Sequence, residues 1–373
     1  MFGQIPTPTG EYPVGIYKMD MTDETRKNTY GIPSGDRRLA VWIFYPALET
    51  GEKMHYGIKE DFKERKELRE NCYIDCYENV KPADSHFPCI MYSHGYCGNL
   101  YTNTTFCADM ASQGFVVVSI SHPYEADTVY YKDGEVIKFH APFTEIADNI
   151  GILEVIGTLG LILDKFSDHK ALAIRQNTIS EERTKERRKH ITVWSQDNSF
   201  VLDQLMKLNE QSEFFLYKHI DFSRGAGLAG HSFGGCAAAN SCYMDKRFRC
   251  ILNFDGEVFG ECSLKDLRRP YMRIGQSFAK YVSLTPLAFN SSPVYDISVK
   301  KVTHMGYSDW KYLTPVNKRL VGKLPGDILF TITAQLTHFF FNKYLAGKET
   351  AVFPSIHRKY AKIEQFNCKD SVV

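Results

Sequence analysis

The 373-residue sequence has no run approaching the ~18 apolar residues that a membrane-spanning helix needs. It has no surplus of either charge: 45 Lys and Arg stand against 44 Asp and Glu, a formal net charge of +1. Readers of nucleic acid carry a basic excess, so this balance argues against a nucleic-acid partner. There is no CxxC pair, and no histidine pair stands near Cys72 and Cys76, the only close cysteines in a polar stretch, so no metal site is expected. There is no internal repeat, which excludes solenoids and propellers. No basic segment followed by an apolar run opens the chain, and no lipidation box closes it, so neither signal peptide nor anchor is expected. Cys89, Cys236, Cys242 and Cys250 fall in apolar segments, where a free thiol packs as a small hydrophobe. The reading is a reducing, cytoplasmic compartment.

What is present is apolar and aromatic. Hydrophobic residues make up 43%, and 22 Tyr and 25 Phe suit a large core or an apolar cleft. Short β-branched runs alternate with longer helical patterns. Strands are expected at 38–45 (RLAVWIFY), 88–93 (PCIMYS), 115–120 (FVVVSI), 227–230, 250–254, 271–274 and 294–302. Helices are expected at 105–113, 146–165, 181–208, 233–243 and 328–344. Continuous apolar strands alternating with helices predict an α/β fold with a mostly parallel central sheet, covered on both faces. The chain reads as a single domain over 1–373. Residues 49–84, charged and without a clean strand, read as an insertion and candidate lid. Residues 166–190 read as a charged helical insertion with a solvated face, and 349–373 as a C-terminal extension.

Gly230-His-Ser232-Phe-Gly-Gly matches G-x-S-x-G, a pattern met by chance in about one chain in ten of this length. Its context says more. A short apolar strand precedes it and the small-residue run Cys236-Ala-Ala-Ala follows, as a strand-to-helix elbow requires. Such an elbow lifts the serine hydroxyl above the sheet, at the N-terminus of a helix. The same stretch offers a decoy, because Gly225-Ala-Gly-Leu-Ala-Gly230 is also G-x-G-x-x-G. A dinucleotide site would need those glycines to follow a strand and open a helix. Here they lead into the elbow themselves, behind the poor strand former 219–224 (HIDFSR), so no cofactor is expected.

An activated serine needs a general base, and the base an orienting carboxylate. In an elbow hydrolase they follow in the order Ser, acid, His, each just past a strand. The strand 250–254 ends at Asp255-Gly-Glu257, which makes Asp255 the acid and Glu257 its rival. Of the later histidines, His338 lies within an aromatic helix and His357 in a basic tail. His304 directly follows a strand and is the expected base. The oxyanion donors would be the backbone N–H of Phe233, after the nucleophile, and of Tyr96, in the loop Ser93-His-Gly-Tyr96 after an early strand.

These residues resemble the α/β-hydrolase fold, and within it the plasma and intracellular type II platelet-activating factor acetylhydrolases. The resemblance rests on Ser93-His-Gly-Tyr, Gly230-His-Ser-Phe-Gly-Gly, Ile251-Leu-Asn-Phe-Asp255 and Val302-Thr-His304. It also rests on 197–205 (DNSFVLDQL), 40–46 (AVWIFYP) and Ser121-His-Pro, and it runs over roughly residues 12–345. It implies Ser232 as nucleophile, Asp255 as acid, His304 as base, Tyr96 and Phe233 as oxyanion donors, and no cofactor. It further implies short or oxidised acyl esters as substrates, including phospholipid esters, and hence an interfacial lipid contact to be tested. The Phe339-Phe-Phe341 run reads as core packing rather than as that interface. The resemblance read from these residues does not extend to residues 49–84 or to the tail after Lys348, and Met305, Tyr307 and Trp310 are expected to reshape the acyl pocket. The competing readings are another hydrolase on this fold, cleaving a polyester, lactone or peptide, and a non-catalytic binding protein on its scaffold.

Overall fold

The computed structural model describes residues 5–28, 35–62, 65–140, 168–276, 283–313, 317–356 and 359–368. The helix expected at 146–165 lies outside them, as does His357. The described strands are β1 (Val14–Lys27), β2 (Asp36–Pro46), β3 (Lys53–His55), β4 (Tyr73–Glu78), β5 (Phe87–Ser93), β6 (Val116–Ile120), β7 (Thr128–Tyr130), β8 (Val136–Lys138), β9 (Ile220–His231), β10 (Phe248–Phe254), β11 (Tyr271–Gly275), β12 (Val294–Val299) and β13 (Ala361–Phe366). The helices are α1 (Lys66–Asn71), α2 (Thr104–Ser112), α3 (His169–Leu208), α4 (Phe233–Met244), α5 (Leu284–Phe289), α6 (Lys318–Val321) and α7 (Gly326–Tyr344).

Among the described residues, eleven strands form one sheet in the order β13-β12-β11-β10-β9-β5-β6-β2-β1-β4-β3. From β12 to β6 every pairing is parallel, while β2 runs antiparallel to both β6 and β1. The period-2 geometry of a strand sends alternate side chains to opposite faces. Ile90 and Tyr92 of β5 thus join a core with Cys107 and Met110 of α2 and Phe339, Phe340 and Phe341 of α7. Cys89 and Met91 face the other way, onto Leu202 and Leu205 of α3 and Ala238 and Ala239 of α4. The three phenylalanines are buried, as core packing requires. Helices on both faces leave the carboxyl ends of the parallel strands as the edge where side chains are free to converge.

Three expectations are corrected. Residues 49–84 contain two strands, β3 and β4, and β4 pairs in parallel with β1 to extend the main sheet. The alternation of β4 was masked because its inward residues are Ile74 and Cys76 and its outward ones Tyr73 and Asp75. α3 begins at His169, well before the expected start at 181, with Asp168 capping it by accepting from Ala171 N–H at 2.7 Å. β9 begins at Ile220, so 219–224 is largely strand. Its register breaks between Pro88↔Asp221 and Cys89↔Ala226, which is how a polar, exposed segment is accommodated.

Candidate active site

β9 ends at His231, and α4 starts at Phe233. Ser232 sits between them at φ 56°, ψ −118°, a left-handed conformation that a non-glycine residue adopts only when its surroundings impose it. The glycines around it make this possible. A Cβ on Gly230 would lie 2.2 Å from the Gly234 backbone, and one on Gly234 would lie 2.1 Å from the Ser93 carbonyl oxygen. The sharp elbow and its close approach to β5 therefore both need residues without side chains. Gly225–Gly230 lies within β9 and opens no helix, as the elbow reading expected.

Ser232 Oγ stands 2.8 Å from Nε2 of His304, and Nδ1 of His304 stands 2.9 Å from Oδ2 of Asp255. Asp255 comes just after β10, itself at φ 55°. Its other oxygen accepts the Gln276 N–H at 2.8 Å. The buried Arg273 guanidinium lies 3.9 Å from that oxygen and is itself anchored on Asp296 and Ser298. Glu257, the rival acid, points elsewhere: it meets Gln176 Nε2 at 3.3 Å and Arg187 at 4.0 Å on α3. His338 is not simply packed; its ring pairs with Asp109 of α2 at 2.7 Å.

His304 lies in the loop after β12, half exposed, and its backbone carbonyl is 3.0 Å from Nε2 of His231. His231 thus tethers the loop from the position just before Ser232. Burial, and then proximity to His304, push its pKa down to about 3, so it remains a neutral Nε2–H donor. Nothing in the sequence marked this role; the x of G-x-S-x-G is variable by definition. The structure brings Tyr96 and Phe233, the expected oxyanion donors, to the same side of Ser232. The loop after β5 packs on Ser232, since a Cβ on Gly95 would be 3.3 Å from Cβ of Ser232, and the Tyr96 and Phe233 rings are 5.4 Å apart.

Above Ser232 opens a cavity of about 430 Å³. Tyr96, Tyr101, Met305 and Trp310 line it, together with Tyr56, Phe62 and Arg65 from the 49–84 stretch. Asp61 stands in the same wall, accepting from the hydroxyls of Tyr101 and Tyr130 at 2.5 Å each. Cys72 and Cys76 are free, buried thiols. Among the described residues no group of three or more His, Cys, Asp or Glu could hold a metal ion, and no helix is long and apolar enough to cross a membrane.

The chain superposes on a ferulic acid esterase from Streptomyces cinnamoneus with a TM-score of 0.73, 21% identity, and coverage of 97% of this chain and 99% of the other. The architecture is that of an α/β hydrolase. The family follows from the sequence as a whole: residues 3–324 match the model of platelet-activating factor acetylhydrolase, isoform II, and the chain belongs to that family of carboxylic ester hydrolases. It is 24% identical over 356 residues to platelet-activating factor acetylhydrolase of Gallus gallus, covering 87% of this chain and 79% of that protein. It is 22% identical over 317 residues to a probable 1-alkyl-2-acetylglycerophosphocholine esterase of Arthroderma benhamiae, covering 77% and 68%.

The loop that carries His304 ends in a second titratable group. Asp309 is fully buried, and both its oxygens lie 3.3 Å from the Thr105 N–H at the start of α2. Burial outweighs these bonds and drives its pKa up to about 7. The unfolded chain releases this proton near pH ~4, the folded one near 7. The contribution to stability is therefore complete below pH ~4 and is lost as pH rises towards 7. Asp309→Asn carries no such titration. Its melting temperature relative to the parent is expected to rise by several degrees between pH 4.5 and 8, measured by scanning fluorimetry. A variant melting temperature that stays level or falls relative to the parent over that range would contradict the assignment.

Proposed function

We propose that this protein hydrolyses carboxylic esters with short or oxidised acyl chains, including those of phospholipids, through an acyl-enzyme on Ser232. The observation that carries the reading is the continuous path from Ser232 Oγ through His304 to Asp255, at 2.8 and 2.9 Å, beneath an open cavity. His304 Nε2 takes the Ser232 proton as Oγ attacks the ester carbonyl. Asp255 accepts from Nδ1, holding the tautomer that leaves Nε2 free to act and stabilising the imidazolium that forms. The backbone N–H groups of Tyr96 and Phe233 stabilise the oxyanion, each worth ~3–4 kcal/mol in comparable sites. The tetrahedral intermediate collapses, the alcohol leaves with the proton from His304, and water activated by the same imidazole releases the acid.

The cavity supports the choice of acyl group. Aromatic rings from separate segments (Tyr56, Phe62, Tyr101 and Trp310) crowd around Ser232, while Asp61, Asp127 and Arg65 make parts of the same wall polar. A short acyl chain, or one bearing polar oxidation products, matches such a mixed surface. The names of the chicken and fungal relatives point to acetyl esters of glycerophospholipids, and the reading adopts that class here.

The test is a fluorophosphonate probe with mapping of the adduct, followed by p-nitrophenyl esters of rising chain length. An adduct on Ser232 that disappears in His304→Ala, with turnover falling as the chain lengthens, is expected. No adduct on folded protein would bring the binding-protein reading forward; turnover that climbs with chain length would indicate a lipase.

A further inference from the structure

Four of the family-like residues, Ser93, His94, His122 and Asp197, stand outside the hydrogen-bonded path above, yet all are buried to 1% exposure or less. They form a connected chain. Arg37, equally buried, places Nε and Nη2 on the two oxygens of Asp197 at 3.0 and 2.6 Å. Asp197 accepts from Nδ1 of His122 at 2.8 Å, and Nε2 of His122 lies 3.1 Å from Ser93 Oγ. This Ser93–His122–Asp197 set copies the polarity of the Ser232 set, but it is sealed from solvent and stacked on Trp194 with ring centroids 3.8 Å apart. No substrate reaches it. Its outlet is a different atom: the backbone N–H of His122, which meets Nε2 of His94 at 3.2 Å.

That contact fixes a proton. A peptide N–H only donates, so Nε2 of His94 must accept, and the neutral ring then carries its hydrogen on Nδ1. Burial, with His122 close by, pushes the His94 pKa down to about 3, so the ring stays neutral at working pH. Nδ1 lies 2.6 Å from the carbonyl oxygen of Gly95, which also accepts the Gly98 N–H at 2.8 Å. The Gly95 carbonyl and the Tyr96 N–H are opposite ends of one planar trans peptide, so holding the first aims the second. The unit abuts the nucleophile, and glycine alone would let it rotate.

We propose that His94 is a positioning residue: its Nδ1–H holds the Gly95 carbonyl so that the Tyr96 N–H faces the oxyanion formed at Ser232, and the Arg37–Asp197–His122 chain keeps His94 in that tautomer. The inference rests on the reading of Tyr96 as an oxyanion donor. Because the bond acts on a donor used in the transition state, its loss lowers kcat and leaves KM nearly unchanged.

The test compares three substitutions at His94 on an acetyl ester, with a trifluoromethyl ketone as the transition-state analogue. His94→Leu removes the donor. Its kcat is expected to fall about 30- to 300-fold, somewhat less than the ~10²- to 10³-fold cost of an oxyanion donor removed outright, with analogue affinity falling in parallel and KM within about threefold. His94→Asn places an amide N–H near the Nδ1 position and is expected to recover to within about tenfold of the parent. His94→Gln reaches the Nε2 position instead and is expected to remain as impaired as leucine. Should the leucine variant not fold, the contrast between Asn and Gln carries the test. Equal activities for Asn and Gln, or a leucine variant with parental kcat and analogue affinity, overturn the proposal. Tyr96→Pro, which lacks the N–H altogether, separates the two levels: retained turnover there defeats the oxyanion reading itself, whereas its loss beside an unaffected His94→Leu defeats only the role of His94.

Discussion

Ser232→Ala is expected to lower ester turnover by about 10⁵- to 10⁶-fold while leaving the melting temperature within a few degrees of the parent. The substitution removes one oxygen and keeps Cβ. The hydroxyl lost is the one 2.8 Å from Nε2 of His304, and with it goes the atom proposed to attack the ester. The backbone remains at φ 56°, a conformation equally uncomfortable for alanine and serine, so the fold neither gains nor loses much. The measurement is initial-rate hydrolysis of p-nitrophenyl acetate by thoroughly purified variant, since 0.01% of parental enzyme would mask the effect. Turnover comparable to the parent would remove Ser232 from the chemistry and leave the geometry above it unexplained.

The second large effect belongs to Asp255→Asn, for which kcat is expected to fall about 10⁴-fold with little change in KM. The acid's two oxygens have separate partners: Oδ1 accepts from Gln276 N–H at 2.8 Å, and Oδ2 accepts from His304 Nδ1 at 2.9 Å. Asparagine keeps one acceptor, which Gln276 occupies. Its NH₂ then faces Nδ1 of His304, and the ring answers by moving its proton to Nε2. From there it donates towards Ser232 and has no lone pair with which to accept the serine proton. Asn tolerates the left-handed backbone at this position better than most residues, so folding is preserved. Glu257→Gln serves as the control. Its contacts are with Gln176 and Arg187, and its kcat is expected to stay within about threefold of the parent. A tenfold effect or less for Asp255→Asn, or a larger one for Glu257→Gln, would move the acid's role.

The residues that meet at the candidate site were more legible in the sequence than their surroundings. An elbow demands small residues at fixed offsets, and the acid and base follow strands whose continuous apolar runs are hard to mistake. Ser232, Asp255 and His304 could therefore be named from local pattern and chain order. The strands that escaped notice are those whose pattern is diluted. β1 mixes Lys18, Asp20 and Thr22 with Met19 and Met21 on a sheet margin, and β4 hides its inward face behind a cysteine. Antiparallel pairing of β2 with β6 and β1 has no local signature, because register is a property of two segments. The chain from Arg37 to His94 joins residues separated by as many as 160 positions, and no spacing rule reaches that far. His122 and Asp197 looked like family markers only; their contacts with each other are a tertiary fact.

The tail beyond α7 bears on how this molecule behaves in a crowd. β13 returns to lie antiparallel along the whole of β12, from Val294↔Phe366 to Val299↔Ala361. Without it, six consecutive buried residues of β12 would present their open N–H and C=O groups to any neighbour with a free strand. With it, the outermost strand carries Lys362 and Glu364 instead, while the opposite margin ends in the three-residue β3. Both rims are thus poor templates for another chain. A segment that looked like an appendage thus covers an edge on which a second molecule could otherwise pair, and its removal is expected to show first as aggregation.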